Sequence, residues 1–443
     1  MLLSLTSAGF DAMVLGQQLE VTLDAAAAVT ARCTDAARPE EIHSADSAEA
    51  STHTLRFFGL LASSDYSCVV SAGAVELGTL DFSTADLPEG IPSLSVTGSP
   101  GWGAYTLLNH FVGATDPAQK LLIVDPEGRI RWYWYLDKDV REGVEAVLLG
   151  SDAILTSGGM GLQPTIVSLT GEITYRGPDP SSGGRFHHDV GVLPSGEVIG
   201  LAENSNSADG ASWTGFLIET RTPEDGALTQ EWSSQTAVDA GQLSAPLGVV
   251  VDPYHANALT HIEDDEGESF LLSLRGTDQL VRMDAETGLL QWKLGSGGDF
   301  ALLDESGGPG GRWFSAQHGP HWDLPLVTIY DNQGLGGQSR ALQLQLDMEA
   351  MTAQIVWQWT EAGWYEMVWG DTDVLEGGTV LIARGHCSFC PTADISLPTD
   401  VIEVDPSTDG VIWQLGFPTR DDGLYRAERL DGCALFANAA YCQ

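Results

Sequence analysis

The chain has 443 residues, with 62 acidic against 20 basic side chains and a formal net charge of −42. That charge excludes a nucleic-acid partner, since no basic surface could offset repulsion from phosphates, and it disfavours an anionic membrane surface likewise. Hydrophobic residues at 43%, with 51 glycines and 13 tryptophans, predict packed, turn-rich β structure over more than one domain or a long repeat.

The N-terminal stretch 1–15 lacks a positive start and carries Asp11, so it does not read as a signal peptide. No apolar run approaches the roughly 18 residues that span a bilayer. Residues 1–90 predict a small β-sandwich. The stretches Gln-Leu-Glu-Val-Thr-Leu at 18–23 and His-Thr-Leu-Arg-Phe-Phe at 53–58 alternate as half-buried strands do. The segment from Leu55 through Tyr66 to Cys68 resembles the fibronectin type III pattern, in which a leucine-bearing turn precedes a tyrosine strand. Residues 91–104, preceded by a Pro-containing stretch, predict a linker.

From 105 to 443 one phrase recurs: a hydrophobic strand, an acidic or polar turn, then a strand that usually holds tryptophan. It starts at Leu122 (to Trp132), Thr165 (to Tyr175), Phe216 (to Trp232), Leu280 (to Trp292), Leu342 (to Trp357 and Trp359) and Val401 (to Trp413). Turns such as Asp-Pro-Glu-Gly supply the positive φ that tight hairpins need. Six copies without helical periodicity between them predict a six-bladed β-propeller, so the fold class is all-β, a propeller preceded by a sandwich.

The six cysteines are Cys33, Cys68, Cys387, Cys390, Cys433 and Cys442. The simplest pairing joins neighbours: 33 with 68, 387 with 390, and 433 with 442. Cys387 and Cys390 could instead bind zinc or act in redox exchange. A zinc site lacks a second ligand pair beyond His386, and the βαβ setting of a redox motif is absent. Structural disulfides in an exported protein are the better reading, placing the chain in the periplasm or outside the cell. The acidic run 261–268 lacks the Asp-x-Asp-x-Asp-Gly order of a calcium loop, so a structural calcium is not predicted.

A propeller gathers the starts of its innermost strands at one mouth, and four polar clusters stand out for that position. They are Phe-His-His-Asp at 186–189, Asp-Pro-Tyr-His-Ala-Asn at 252–257, Ser-Leu-Arg-Gly-Thr-Asp-Gln at 273–279, and Ser-Ala-Gln-His-Gly at 315–319. His188 and His318 fall within one residue of the same repeat position, so they converge on one axis although distant in sequence. His110, His261 and His321 read as hydrogen-bonded structural histidines.

These residues carry a resemblance. His-His-Asp-Val with a following Leu-Pro-x-Gly, then His-x-Asn, then Ser-x-Arg-x-x-Asp-Gln, then Phe314 to His318, Tyr330-Asp-Asn332 and Tyr425-Arg-Ala-Glu428 together resemble bacterial arylsulfate sulfotransferases over roughly 100–440. The resemblance implies transfer of a sulfuryl group from an aryl sulfate to a phenol, without a nucleotide donor or other cofactor. It implies that His318 is the nucleophile, sulfated in passing. His188, His255 and Arg275 would complete the catalytic set, His255 as general acid. His187, Asn257, Thr372 and Arg426 would bind substrate, and Trp102, Tyr105 or Trp313 would stack on the phenol ring. Two positions depart from the family pattern: Pro253 follows the Asp where an aromatic is common, and Gly319 follows His318 where an acidic residue is frequent.

No phosphate-binding Gly-x-x-x-x-Gly-Lys loop is present, the Cys-x-Pro-x-Arg motif of sulfatases is absent, and the blade number argues against a quinoprotein dehydrogenase. The remaining alternative is a non-catalytic extracellular propeller that binds a ligand or assembles with its own copies. The expected partners are therefore small aryl sulfates and phenols, with a homo-oligomer or extracellular assembly as the macromolecular option.

Overall fold

The computed structural model describes residues 1–443 apart from 104, 113–115, 137–145, 151–152, 158–162, 178–185, 209, 246–248, 265–266, 335–336, 386–397, 420–421, 432–434 and 442–443. The first body is built on β1 (Leu2–Gly9), β2 (Gln17–Asp35), β3 (Arg38–Phe57), β4 (Asp65–Ala72) and β5 (Val75–Ser83). The start of β2 pairs with β1 and with the end of β3, whereas its end pairs with the start of β3 and with β4. Register breaks between Thr22 and Val29 let both long strands bend from one layer into the other. Between the layers lie Leu19, Val21, Ala31, Leu55, Tyr66 and Val70, the inward positions of the alternation. Cys33 and Cys68 face each other across β2 and β4 and form a disulfide. Cys387, Cys390, Cys433 and Cys442 lie outside the described residues.

The segment expected as a linker carries β6 (Ser95–Gly98), which pairs with Gly410–Gly416. It is the outermost strand of the last blade, so the chain enters the propeller ten residues earlier than the repeat suggested. Six further sheets follow among the described residues, one per blade. Their innermost strands are Ala146–Leu149 (blade two), Val190–Val192 (three), Ala256–Asp264 (four), His318–Asp323 (five), Asp371–Val374 (six) and Ala427–Leu430 (one). The last of these comes from the far end of the chain and pairs with Tyr105–Val112. The ring is thus closed twice, by β6 on the outside of blade six and by the C-terminal strand on the inside of blade one.

The repeat's tryptophan has a physical task. Indole Nε1–H groups donate to the turn of the following blade: Trp132 to Leu169 O at 3.0 Å, Trp232 to Ala285 O at 2.7 Å, and Trp413 to Pro126 O at 3.0 Å. In blade five Trp357 and Trp359 both reach Asp409. A ring that fills the gap between blades while its one polar atom finds a partner there is used at little desolvation cost.

The two bodies meet at blade one. Arg131, wholly buried, joins Glu41 of β3 at 2.7 Å and Asp125 at 2.7 Å, and donates to Gly59 O at 2.9 Å. Arg129 bridges the same two carboxylates at 3.0 and 2.7 Å.

Candidate active site

Four non-glycine residues hold left-handed conformations in the turns that lead into inner strands: His188 (φ 58°), His255 (φ 46°), Ala316 (φ 52°) and Trp369 (φ 69°). Such backbones cost about 1–3 kcal/mol each and persist where neighbours over-determine them. Here the neighbours are visible. Asp252 accepts from the His255 backbone N–H at 2.9 Å, and Arg275 N–H and Gly276 N–H donate back to His255 O and Tyr254 O. A Cβ on Gly276 would stand 2.3 Å from Pro253 O, so glycine is required for the Arg275 turn to lie against the His255 turn. Asp278 then accepts from Ala316 N–H at 2.7 Å, which fixes the approach to His318.

These turns bring His187, His188, His255, Arg275 and His318 to one mouth of the propeller. The His188 and His255 rings are 5.0 Å apart, and Tyr425 lies 6.3 Å from His188 and 6.4 Å from His318. Trp369 stands edge-on to Tyr425 at 6.4 Å.

His318 is buried, and its surroundings settle where its proton is. Asn332 donates through Nδ2 to Glu366 O and Trp369 O, at 3.1 and 2.8 Å. Its Oδ1 therefore faces His318 Nδ1 at 2.8 Å as an acceptor, and Nδ1 carries the hydrogen. Nε2 keeps its lone pair, on which the Trp369 backbone N–H rests at 3.2 Å. Burial, then the facing Arg275 guanidinium, holds the ring well below the usual histidine range, so it is neutral.

His255 is 31% exposed and hydrogen-bonds through Nδ1 to Asp252 at 2.8 Å, which leaves Nε2 to give or take a proton at the mouth. Arg275 is half-buried. Its Nη2 donates to Met367 O at 3.3 Å, and its Nε is buried with no partner. A cation with an unspent donor beside neutral imidazoles suits an anion.

The other expected site residues are placed differently. Asn257 is wholly buried and holds blades four and five together through Nδ2 to Gln317 O at 2.8 Å. Its unpartnered Oδ1 suits a hydroxyl rather than a sulfate oxygen. Arg426 reaches across the channel to Asp189 at 3.1 Å and Asn257 O at 2.9 Å. Thr372 is wholly buried, and its hydroxyl donates to Gly319 O at 3.1 Å. That tie between inner strands is a structural use rather than the substrate contact expected of it. Gly319 has no room for a side chain, because a Cβ would meet Asp371 Oδ1 at 1.9 Å. Tyr105 is wholly buried against Phe436 and Tyr441, while Trp102 and Trp313 pack on cores elsewhere. The aromatic rings packed beside the mouth histidines are Tyr425, itself wholly buried, and Trp369. No repeat phrase marks Trp369, whereas Asn332 and Asp252 sit in motifs beside the histidines they hold. His110 is a structural histidine as expected, bound through Nε2 to Asp422 at 2.7 Å.

No helix of the described residues is long and apolar enough to cross a membrane. No curated protein matches the chain. Among solved structures it is similar to a protein of unknown function from Bacteroides caccae (14% identity, 74% of this chain and 98% of that one, TM-score 0.45). It is also similar to a periplasmic gluconolactonase from Pseudomonas aeruginosa (14% identity, 91% and 97%, TM-score 0.39). Scores this low carry no argument about chemistry. The sequence model described as Arylsulfotransferase (ASST) matches residues 104–426, which takes in four blades whole, all but one strand of the other two, and all the histidines of the mouth. The chain belongs to the arylsulfotransferase family.

Proposed function

We propose that the protein transfers a sulfuryl group from an aryl sulfate ester to a phenolic acceptor by way of a sulfated His318. The observation that carries this reading is a neutral, tautomer-fixed His318 within the field of the Arg275 guanidinium, whose Nε is unspent. The donor's sulfate lies against Arg275 and His188, which hold its three oxygens as charge builds on them. His318 Nε2 attacks sulfur, the S–O bond to the aryl group breaks, and the leaving phenolate takes a proton from Nε2 of His255, which enters this half-reaction as the imidazolium paired with Asp252 and leaves it neutral. The Trp369 N–H, released from the lone pair, then has a sulfuryl oxygen as its next acceptor. In the second half, His255 takes the proton of the incoming phenol, whose oxygen attacks sulfur, and the N–S bond breaks to restore His318. Tyr425 and Trp369 form the aromatic wall beside the phenol ring.

An oxidising compartment, the periplasm or the cell exterior, fits the Cys33–Cys68 disulfide. The test incubates the protein with an aryl sulfate, with and without a phenol. Phenol release should require His318, and mass spectrometry after donor alone should find one sulfuryl group on that residue. Equal release by the His318→Ala variant would overturn the mechanism. No release by the wild-type protein with any aryl sulfate would leave a ligand-binding propeller.

A further inference from the structure

The histidines of the mouth differ in what stands at Nδ1. His318 faces the neutral amide of Asn332, which accepts one hydrogen and has no charge to offset a second proton on the ring. His255 faces a carboxylate. Asp252 Oδ2 lies 2.8 Å from its Nδ1, and Asp252 Oδ1 accepts its backbone N–H at 2.9 Å. Both carboxylate oxygens are thus engaged by one residue, and together they fix its ring and its left-handed backbone (φ 46°). Pro253, where the sequence departs from the family pattern, stiffens the same turn, because its ring locks φ.

The difference sorts the rings by chemistry. A nucleophile must be neutral, and His318 is held so by burial and then by the facing Arg275 guanidinium. An acid must hold two protons, which an imidazole does most readily against a carboxylate. His187 and His188 approach each other through Nδ1, and both are held below the usual histidine range, first of all by burial. Among the described residues, His255 is the histidine of the mouth with a carboxylate at hydrogen-bond distance. Ring and carboxylate are each 31% exposed, so the pair exchanges protons with water, whereas His318 is 2% exposed. The rings of His187, His188 and His318 and the Arg275 guanidinium face the pair.

We propose that Asp252 is a positioning residue that keeps His255 a proton donor to the leaving oxygen, and that the donors of this site are sulfate esters of unactivated phenols, whose phenolates leave poorly without a proton. The leaving oxygen itself rests on the sulfuryl-transfer reading. In the first half-reaction the N–S bond forms at His318, the S–O bond to the aryl group breaks with its electron pair on oxygen, and that oxygen takes the proton of His255 Nε2. In the second, the phenol O–H proton passes to His255 Nε2 as the new O–S bond forms, and the electron pair of the N–S bond returns to His318. His255 keeps its Nδ1 hydrogen on Asp252 throughout, and the cycle closes without net proton exchange. An ester of an activated phenol needs no such acid, so a carboxylate engaged through both oxygens would have little to do with it.

Phenol release from phenyl sulfate and from para-nitrophenyl sulfate, followed in a single turnover without acceptor, reads the first half-reaction alone. Asp252→Asn keeps the volume and an accepting oxygen but removes the charge. It should slow release from phenyl sulfate about a hundredfold, the value of a general acid, and slow release from para-nitrophenyl sulfate at least about tenfold less. Combined with His255→Gln, which removes the acid itself, it should add nothing further to that difference. Equal slowing of both esters, the mark of a turn that has merely come loose, overturns the assignment, as does an unchanged rate with phenyl sulfate. Should Asp252→Asn fail to fold, a series of ring-substituted phenyl sulfates decides the matter with the wild-type protein: release should depend weakly on the acidity of the phenol, and a steep dependence overturns the role of Asp252. Sulfation of His318 found by mass spectrometry beside any of these adverse results leaves the transfer reading standing and removes only that role. A wild-type protein that releases no phenol and gains no sulfuryl group ends both.

Discussion

Replacing Asn332 by leucine, which keeps the volume and removes both polar atoms, tests how far His318 depends on one buried amide. Asn332 is wholly buried. Its loss strips the acceptor from His318 Nδ1 and the donors from Glu366 O and Trp369 O. An orphaned buried N–H costs about 2 kcal/mol and each abandoned carbonyl about 1 kcal/mol. Glu366 O keeps only a long contact of 3.5 Å from Ser339 Oγ. Moving the proton to Nε2 gives no escape, because that N–H would then face the Trp369 N–H. The expected loss is about 4 kcal/mol, read from guanidinium unfolding followed by tryptophan fluorescence. Turnover with an aryl sulfate should fall about a hundredfold through misplacement of the nucleophile, with KM little changed because Arg275 and His188 stay in place. A stability loss under about 1 kcal/mol together with unchanged turnover would refute the hydrogen-bond accounting and the tautomer it assigns.

Three further outcomes are expected. Arg131→Met leaves Glu41 and Asp125 short of a cation at the junction of the two bodies and should cost about 3–5 kcal/mol. Arg129 limits the loss toward the lower value, and a double-mutant cycle with Glu41→Gln should give a coupling energy clearly above zero. Replacing Cys33 and Cys68 by serine frees a loop of sequence separation 35 and should destabilise the N-terminal body by up to about 4 kcal/mol, measured by unfolding under oxidising and reducing conditions. Buried His43 and His187 are held down to about 3 and about 4, in both cases mainly by burial. The unfolded chain therefore binds their protons first: stability is full above the ordinary histidine value of 6.5 and is lost as pH falls from there toward the folded values. At pH 5 the pair should cost about 4 kcal/mol, and a flat stability profile between pH 7 and 5 would contradict their burial as neutral rings.

Much of this protein was legible in its sequence. The hairpin turns and the recurring tryptophan are local signals, since a φ > 0 turn needs Gly or Asp at a fixed place and a gap between blades needs a large ring. Six copies gave the blade number, and the clusters holding His188, His255, Arg275 and His318 stand out because each lies at the end of a strand in a fixed phrase. β6 was not legible: a four-residue strand has no periodicity of its own, and only the unpaired edge of Gly410–Gly416 makes one of it.

What each polar residue does was decided by contacts no spacing reveals. Asn257, Thr372 and Arg426 lie at the starts of inner strands, yet each spends a donor on a backbone carbonyl of another blade, because a closed ring must pair the carbonyls along its channel. Trp369 and Asn332, 37 residues apart, meet over His318, and the Nδ1 hydrogens of His318 and His255 follow from partners in space. The net charge of −42 excluded a phosphate-backbone partner from the outset, and at first it argued against any anionic substrate too. Tertiary structure weakens that objection by setting Arg275, with an unspent Nε, among the buried histidines, in a setting of low dielectric where a few donors outweigh a distant acidic surface.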